Sequence, residues 1–486
     1  MKAELFIGGA WRSGRGSAFA SMDPSFGDPA TAQKVWEGAG ASAEDVGDAM
    51  KAARAAFIAW ARRPLEERVA IARAYAKALE ANGAALAECI SRETGKTAWE
   101  AKGEVASMIG KVEISIRAQA ERAGFKEEAA AFGKLALAHR PLGVLSVFGP
   151  FNFPGHLPNG HIVPALLAGN CVVFKPSELA PGVASIMCEA WEAAGLPAGV
   201  LNLVQGGRDA GAALLGAEGL GGVLFTGSAT TGTYIHKLFA GRPDVMLALE
   251  MGGNNPLIVW PGVEVKTAAN LIAHSCFITT GQRCSCARRL IVPDDAFGAS
   301  VMEATAALAR EIKAGPWRQT PEPFMGPLVS VRAAEQAAQA EAALAAKGGK
   351  LIASLQREGA FVRPAIVDVT DVDAADEEVF APLVQVVRVR SFDEALAKAN
   401  DTRFGLAGGL ISDDAALWER ARIEMRAGVL NWNRPTTGAS GALPFGGPGL
   451  SGSLRPSAYY AADYVAYPAA TQLAEKPVAI AAPGLP

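Results

Sequence analysis

Between residues 143 and 251, short β-rich runs alternate with longer alanine-rich stretches, and this rhythm restricts the possible folds more than any other feature of the chain. The runs are Val144–Phe148, Cys171–Phe174, Val200–Val204, Gly222–Phe225 and Met246–Leu249. Each interval has room for one helix and two turns. Repeated strand–helix–strand units of this kind build a parallel sheet covered on both faces. Ligands of such sheets bind beyond the carboxyl ends of the strands, so the residues just after each run carry the most information.

Upstream, the pattern is helical. Ser42-Ala43-Glu44-Asp45 has the form of a capping box, with Asp in place of the usual Glu or Gln. Val46, Met50, Ala53, Phe57 and Trp60 follow at helical spacing. Pro64 stands where a second helix starts, carrying Leu65, Val69, Ala72, Tyr75 and Leu79. Beyond Gly252 a second α/β region is expected, with strands at Pro256–Trp260 and Leu383–Val389 and a helix near 333–347. The Ala- and Pro-rich tail, 472–486, is expected to be loosely ordered.

Composition excludes several classes of function. The 486 residues suffice for two or three domains, and half of them are apolar. A net charge of −3 without a basic run offers nothing that attracts nucleic acid or an acidic membrane. No apolar stretch approaches the roughly 20 residues that span a bilayer, and Met1 to Gly9 lack the pattern of a secretory signal. The six cysteines (Cys89, Cys171, Cys188, Cys276, Cys284, Cys286) form no C-x-x-C pair, so reduced thiols and a cytoplasmic setting are expected. The five histidines are scattered, and no metal site is expected.

The strand ends supply the candidates for chemistry. After Val144–Phe148, Asn152 lies among aromatics and prolines in Gly149-Pro150-Phe151-Asn152-Phe153-Pro154. Its amide can donate to a developing oxyanion, although a turn asparagine satisfying local backbone fits the spacing better. After Cys171–Phe174, Lys175 and Glu178 suit the ribose hydroxyls of a nucleotide or form a solvated ion pair. After Gly222–Phe225, the turn Gly227-Ser228-Ala229-Thr230-Thr231-Gly232 opens a helix whose free N–H groups suit a phosphate, without matching G-x-G-x-x-G or Walker A.

After Met246–Leu249, Glu250 stands beside Gly252 and Gly253. Desolvation there raises a carboxyl pKa and suits a general base acting on water; a paired structural glutamate is equally open. Finally, Gly281-Gln282-Arg283-Cys284-Ser285-Cys286 places a thiol beside Arg283, where a lowered pKa makes a nucleophile, while a buried structural cysteine is the commoner case. Singly these signals are weak. Together they describe an amide donor, a dinucleotide cradle, a carboxylate base and a thiol on successive strand ends.

In this order the motifs resemble those of the aldehyde dehydrogenase superfamily. The resemblance spans nearly the whole chain, from Leu5–Trp11 and Glu93-Thr94-Gly95-Lys96 to Pro444-Phe445-Gly446-Gly447, and includes the interval from Glu250 to Cys284. Within the superfamily, residues 148–161, 249–256, 281–289 and 455–464 are most similar to the branch acting on N-succinylglutamate 5-semialdehyde in arginine catabolism.

The resemblance implies an α/β fold with three parts: a Rossmann-like parallel-sheet dinucleotide-binding domain (1–126 and 143–251), a second α/β catalytic domain (252–443) and a small β oligomerisation element (127–142 and 456–471). It implies a homo-oligomer, a dimer or larger, with Lys134–Arg140 and the segment after Tyr459 as intersubunit strands. Cys284 is then the nucleophile and Glu250 the base, and Asn152 with the Cys284 N–H forms the oxyanion hole. NAD is the implied cofactor, its adenosine ribose on Lys175 and Glu178 and its pyrophosphate beside the Gly227–Gly232 turn. Glu378 would hold the nicotinamide ribose with Phe380 alongside. Ala381 departs from the family's usual glycine and puts the local turn geometry in question.

A dianionic aldehyde needs cations or donors, for which His156, Arg283, Arg434 and Arg455 are candidates, with the small-residue loop Thr436–Gly441. Another acidic semialdehyde or a broad range of aldehydes is the alternative substrate. A CoA-acylating enzyme needs no water-activating carboxylate, so Glu250 argues against one. A structural NAD-binding protein needs neither thiol nor base. A cysteine hydrolase needs a histidine partner, and His274 is the only one close to Cys284 in sequence.

Overall fold

Five-residue runs with no polar face can only sit where both sides are covered. Val144–Phe148 and Cys171–Lys175 are buried at every position. In the computed structural model, which describes residues 1–26, 32–477, 479–480 and 482–485, they lie inside a seven-stranded sheet. Its order is Met246–Met251, Leu220–Gly227, Val144–Phe148, Cys171–Lys175, Leu201–Leu203, Leu5–Ile7, Ala10–Arg12. The first five strands run parallel. Leu5–Ile7 adds antiparallel and turns back as Ala10–Arg12, a hairpin too short to show periodicity in the sequence.

All five expected runs are strands, with shifted ends. Val200 and Val204 lie outside theirs, and Leu220–Gly227 is longer than expected because its ladder to Met246–Met251 continues through Thr226 and Gly227. The order has a functional consequence. From Val144–Phe148 the chain winds to one side through two strands, then returns to add Leu220–Gly227 on the other side. The topological switch point therefore lies between the strands that end near Asn152 and at Gly227, where doubly wound sheets open a binding crevice.

Helices cover both faces. Ser42 caps Ala43–Ala61 with both capping-box bonds made by Asp45. Leu65–Ala81 starts after Pro64, and Tyr75 stacks on Trp191 of the Pro181–Ala193 helix at 3.8 Å between ring centroids. The 25-residue helix Ala98–Arg122 turns toward the protein a face that mixes Ala101, Met108 and Val112 with Glu100, Glu104 and Lys111.

The second sheet, in the order Lys350–Ala353, Ala365–Asp368, Leu383–Val389, Ala287–Pro293, Asn255–Val259, Ala407–Ile411, Val429–Trp432, is parallel except at its first pair. It has an apolar core of its own around Leu257, Ile272, Leu290 and Val386. The expected helix near 333–347 runs Val331–Ala346.

A third, three-stranded antiparallel sheet joins Ala466–Leu473, Gly133–Pro141 and Lys126–Ala130. Gln472 and Leu473, expected in the loose tail, instead pair with Leu135 and Lys134. Of the remaining expected tail, positions 478, 481 and 486 lie outside the described residues. Among the described residues no helix is long and apolar enough to cross a membrane.

One buried amide joins this sheet to the first. The Asn170 side-chain oxygen accepts from the N–H groups of Leu142 and Gly143, and its NH₂ donates to the carbonyls of Ala165 and Val465. Asn170→Ala removes four side-chain hydrogen bonds to backbone at once and leaves the N–H groups of Leu142 and Gly143 without their acceptor. We expect a loss of about 3 kcal/mol, read as a lower midpoint in chemical denaturation; an unchanged midpoint would mean that water replaces these bonds.

Candidate active site

The carboxyl ends of the first sheet face the turn that precedes Ala287–Pro293 of the second. The link between the sheets is short: Met246–Met251 ends the first, and Asn255 begins the second. Cys284 therefore comes close to the strand that carries Glu250.

The Cys284 turn is pinned from several directions. Asn255 Nδ2 donates to the Cys284 carbonyl at 2.7 Å and to the Cys286 carbonyl at 2.8 Å, while its Oδ1 accepts from Ala407 N–H. Arg288, fully buried, donates to the carbonyls of Gly281, Ala381 and Arg283. Before the thiol, Thr279 and Thr280 both take φ 55°, and Glu100 on the Ala98–Arg122 helix accepts from the Thr279 hydroxyl and from Arg283. Sequence reasoning missed Asn255, Arg288 and Glu100. Asn255 and Arg288 lie inside the stretches that carried the resemblance, but nothing in a sequence shows that their side chains bond to backbone more than two positions away.

Asn152 lies at the same turn. Its Nδ2 donates to the Gln282 carbonyl at 3.0 Å, two residues before the thiol, and the side chain is buried. One N–H of the amide fixes its orientation; the second remains for a ligand. The backbone N–H of Cys284 has no acceptor among the described residues.

Glu250 is buried at the end of its strand, and burial pushes its carboxyl well above the ordinary range, against a smaller pull from the Ser457 N–H. This is the direction that the sequence suggested. Gly446, at φ 152°, lies flat against the carboxylate: a Cβ there would stand 2.6 Å from Oε1.

The thiol reverses one expectation. Arg283 was expected to lower the Cys284 pKa, but its guanidinium is committed to Glu100 at 3.3 Å. Burial, followed by the charges of Glu378 and Glu250, pushes the thiol up, and the opposing cation is Arg288.

The cofactor candidates line the same edge. Lys175 Nζ, nearly buried, donates to the Pro176 carbonyl and stands 3.8 Å from the half-exposed Glu178. Gly227 ends its strand, and Ser228 caps the Ala229–Leu238 helix by accepting from Thr231 N–H. Ala229, Thr230 and Thr231 form its first turn, and Gly232 lets the helix close on Met251, whose sulfur occupies the place of any Cβ. Glu378 lies against the Gly252 backbone, 3.6 Å from Arg288, and its Oε1 is buried without a partner among the described residues. Phe380 meets Phe151 edge-on at 5.9 Å. Ala381, the departure from the family pattern, is buried against Leu328, Ala334 and Val362 at negative φ, so its methyl group fits.

The basic candidates separate. Arg434 and Arg455 are exposed, and no ion pair holds either among the described residues. Arg283 is paired, as above. His156 is held neutral, its pKa pushed down to about 4 by burial, and its Nδ1 has no partner among the described residues. His161 bridges Tyr464 and Thr226, and burial pushes its pKa down to about 3. Among the described residues no group of three or more His, Cys, Asp or Glu is placed to hold a metal ion.

Comparison with known proteins agrees with this arrangement. The model of the family described as "Aldehyde dehydrogenase family" matches residues 20–468. The chain is 59% identical to an N-succinylglutamate 5-semialdehyde dehydrogenase 2 of Caulobacter vibrioides, over 97% of this chain and 96% of that one. It is 54% identical to an N-succinylglutamate 5-semialdehyde dehydrogenase of Paraburkholderia xenovorans, over 96% of each. Among solved structures, a 1-pyrroline-5-carboxylate dehydrogenase from Thermus with bound NAD superposes with a TM-score of 0.90 at 31% identity, covering 96% of this chain and 92% of that one.

The electrostatics of the thiol can be tested directly. Removing a neighbouring negative charge favours the thiolate, so Glu378→Gln should speed iodoacetamide labelling of Cys284 severalfold at fixed pH below the thiol pKa. Peptide mass spectrometry reads the rate, and an unchanged or slower rate would mean that the Glu378 charge does not reach Cys284.

Proposed function

The chain belongs to the aldehyde dehydrogenase family, and on that footing we propose that it oxidises N-succinylglutamate 5-semialdehyde to N-succinylglutamate, with NAD as hydride acceptor. One observation carries the chemistry: Cys284, Asn152 and Glu250 converge from two sheets on one water-poor place. The substrate follows from the relatives that match nearly end to end.

Cys284 gives up its proton to water, and the thiolate sulfur attacks the aldehyde carbon. The resulting alkoxide accepts from the free N–H of Asn152 and from the Cys284 backbone N–H, whose positions are set beforehand by Gln282 and Asn255. Bound NAD would supply the hydride acceptor for that carbon, and once the hydride is lost Cys284 holds the acyl group as a thioester. Glu250 takes a proton from water as the water adds to the thioester carbonyl, and the carbon–sulfur bond breaks to release the carboxylic acid. Burial, by raising the pKa of this carboxyl, makes it a stronger base for that proton.

The residues at the sheet edge fit the cofactor. Glu378 Oε1, buried and without a hydrogen bond among the described residues, is an acceptor suited to a ribose hydroxyl, and the Ser228 turn presents helix N–H groups to a diphosphate. Lys175 and Glu178 suit the second ribose. A 2′-phosphate there would meet the Glu178 carboxylate, which supports NAD over NADP. The presence of Glu250 supports hydrolysis over transfer to CoA. The six free thiols support a cytoplasmic setting, and exposed Phe132, Leu135 and Tyr467 on or beside the three-stranded sheet support its use in self-association.

Two variants separate the steps. Glu250→Gln should keep a stoichiometric burst of NADH but lose turnover, because the thioester forms and then waits; full steady-state activity would remove Glu250 from the role of base. Asn152→Ala should lower kcat by about 10²–10³. Both are assayed by NADH formation from N-succinylglutamate 5-semialdehyde without CoA. If the parent enzyme makes no NADH under these conditions, the substrate reading is wrong.

A further inference from the structure

Of the basic candidates, Arg283 is spent on Glu100 and both Arg434 and Arg455 are exposed, so none of the three is a buried, unpaired cation for an acidic substrate. Yet the same region contains a buried lysine that the sequence analysis passed over. Lys111, on the Ala98–Arg122 helix, is 2% exposed. Among the described residues its ammonium has neither an ion-pair partner nor a hydrogen-bond acceptor. A buried charge without a partner is costly, so such a residue is retained where something else supplies the counter-charge.

Its position follows from the helix face it shares. Glu100 on that face reaches the turn before Cys284. One turn on, Glu104 accepts the N–H groups of Gly155 and His156. Another turn on, the Met108 carbonyl receives Asn159 Nδ2. Lys111 comes next, beside Gly160. The face thus runs along the segment that begins at Asn152. Ile114, just beyond, meets Gly441 of the small-residue loop that is bonded to His274 and Ser275 ahead of the nucleophile. Along the helix, Lys111 lies between Met108, which meets the first segment, and Ile114, which meets the loop.

Gly160 leaves room beside the Lys111 chain. A Cβ on Gly160 would touch only Lys111 Cε, at 3.7 Å, with nothing else within 4 Å. Glycine in a helix interior costs stability, so the gap has been kept at a cost. His156, close enough to feel the Lys111 charge, has a buried Nδ1 without a hydrogen-bond partner among the described residues.

We propose that Lys111 is the specificity residue that receives a carboxylate of the substrate, with Gly160 leaving the room and His156 offering a further polar contact. The proposal rests on the acidic semialdehyde reading above. Burial alone pushes the Lys111 pKa down, to about 8, and no carboxylate among the described residues offsets it. The ammonium is therefore still mainly charged at neutral pH, and a carboxylate arriving there is both its counter-ion and its hydrogen-bond acceptor.

The test compares Lys111→Met and Lys111→Arg with the parent on two aldehydes, N-succinylglutamate 5-semialdehyde and uncharged propanal. Loss of a charge-assisted bond should raise the KM of Lys111→Met for the dianionic substrate roughly 30-fold, the equivalent of about 2 kcal/mol. kcat should be little changed, propanal should be unaffected, and Lys111→Arg should recover part of the loss. Equal losses on both aldehydes, or none on the dianion, would overturn the proposal. A second measurement needs no variant: N-succinylglutamate should protect Lys111 of the parent enzyme from acetylation by acetic anhydride, whereas propionamide should not. Absence of that protection also overturns it. A parent enzyme that does not prefer the dianion over propanal refutes the substrate reading itself, whereas a preference that survives in Lys111→Met refutes only the role of Lys111.

Discussion

Three residues, Gly252 to Asn254, carry the chain from the last strand of one sheet to the first strand of the other, and the chemistry depends on how little slack they leave. Glu250 stands just before the link and Asn255 just after it. Through its amide Asn255 holds the carbonyls on either side of Ser285, so the thiol is tied to the same few residues as the carboxylate. The two glycines are a condition of this closeness. Glu378 presses on Gly252 and the Asn255 side chain on Gly253, and neither contact leaves space for a Cβ.

Dryness is the second property of the place. Burial is the leading cause of the shifts at Cys284, Glu250, Glu378, His156 and Lys111, and in each case it disfavours the charged form. The protein offsets this unevenly. Glu378 has Arg288, and Glu100 has Arg283, but Glu250 has only a backbone N–H, and Lys111 has no carboxylate. Buried titratable groups that the protein leaves uncompensated mark candidates for chemistry without reference to motifs.

Much of this was legible in advance because it is local. The five runs after residue 143 read as buried parallel strands, since apolar residues on both faces admit no other strand environment, and Ser42 with Asp45 announced a helix start through groups three residues apart. The candidate residues were legible through their positions after strands. The Leu5–Ile7 and Ala10–Arg12 hairpin was not, because three residues carry no period. The expected influence of Arg283 on the thiol failed for a related reason: adjacency in sequence says nothing about where a long side chain finds its partner, and Glu100 lies far away along the chain.

The sequence by itself determined the alternation of strands and helices, the strand ends at which chemistry is possible, and the residue types present there. Backbone periodicity and turn chemistry are short-range, and they survive in a string of letters. Only the tertiary structure decided which polar groups were satisfied and which were left over. That depends on the order of strands in each sheet and on the packing of Ala98–Arg122 against His156–Ala168, which sets Lys111 beside Gly160 although they are far apart in sequence. Desolvation is a property of enclosure, and enclosure exists only once the distant parts of the chain have met.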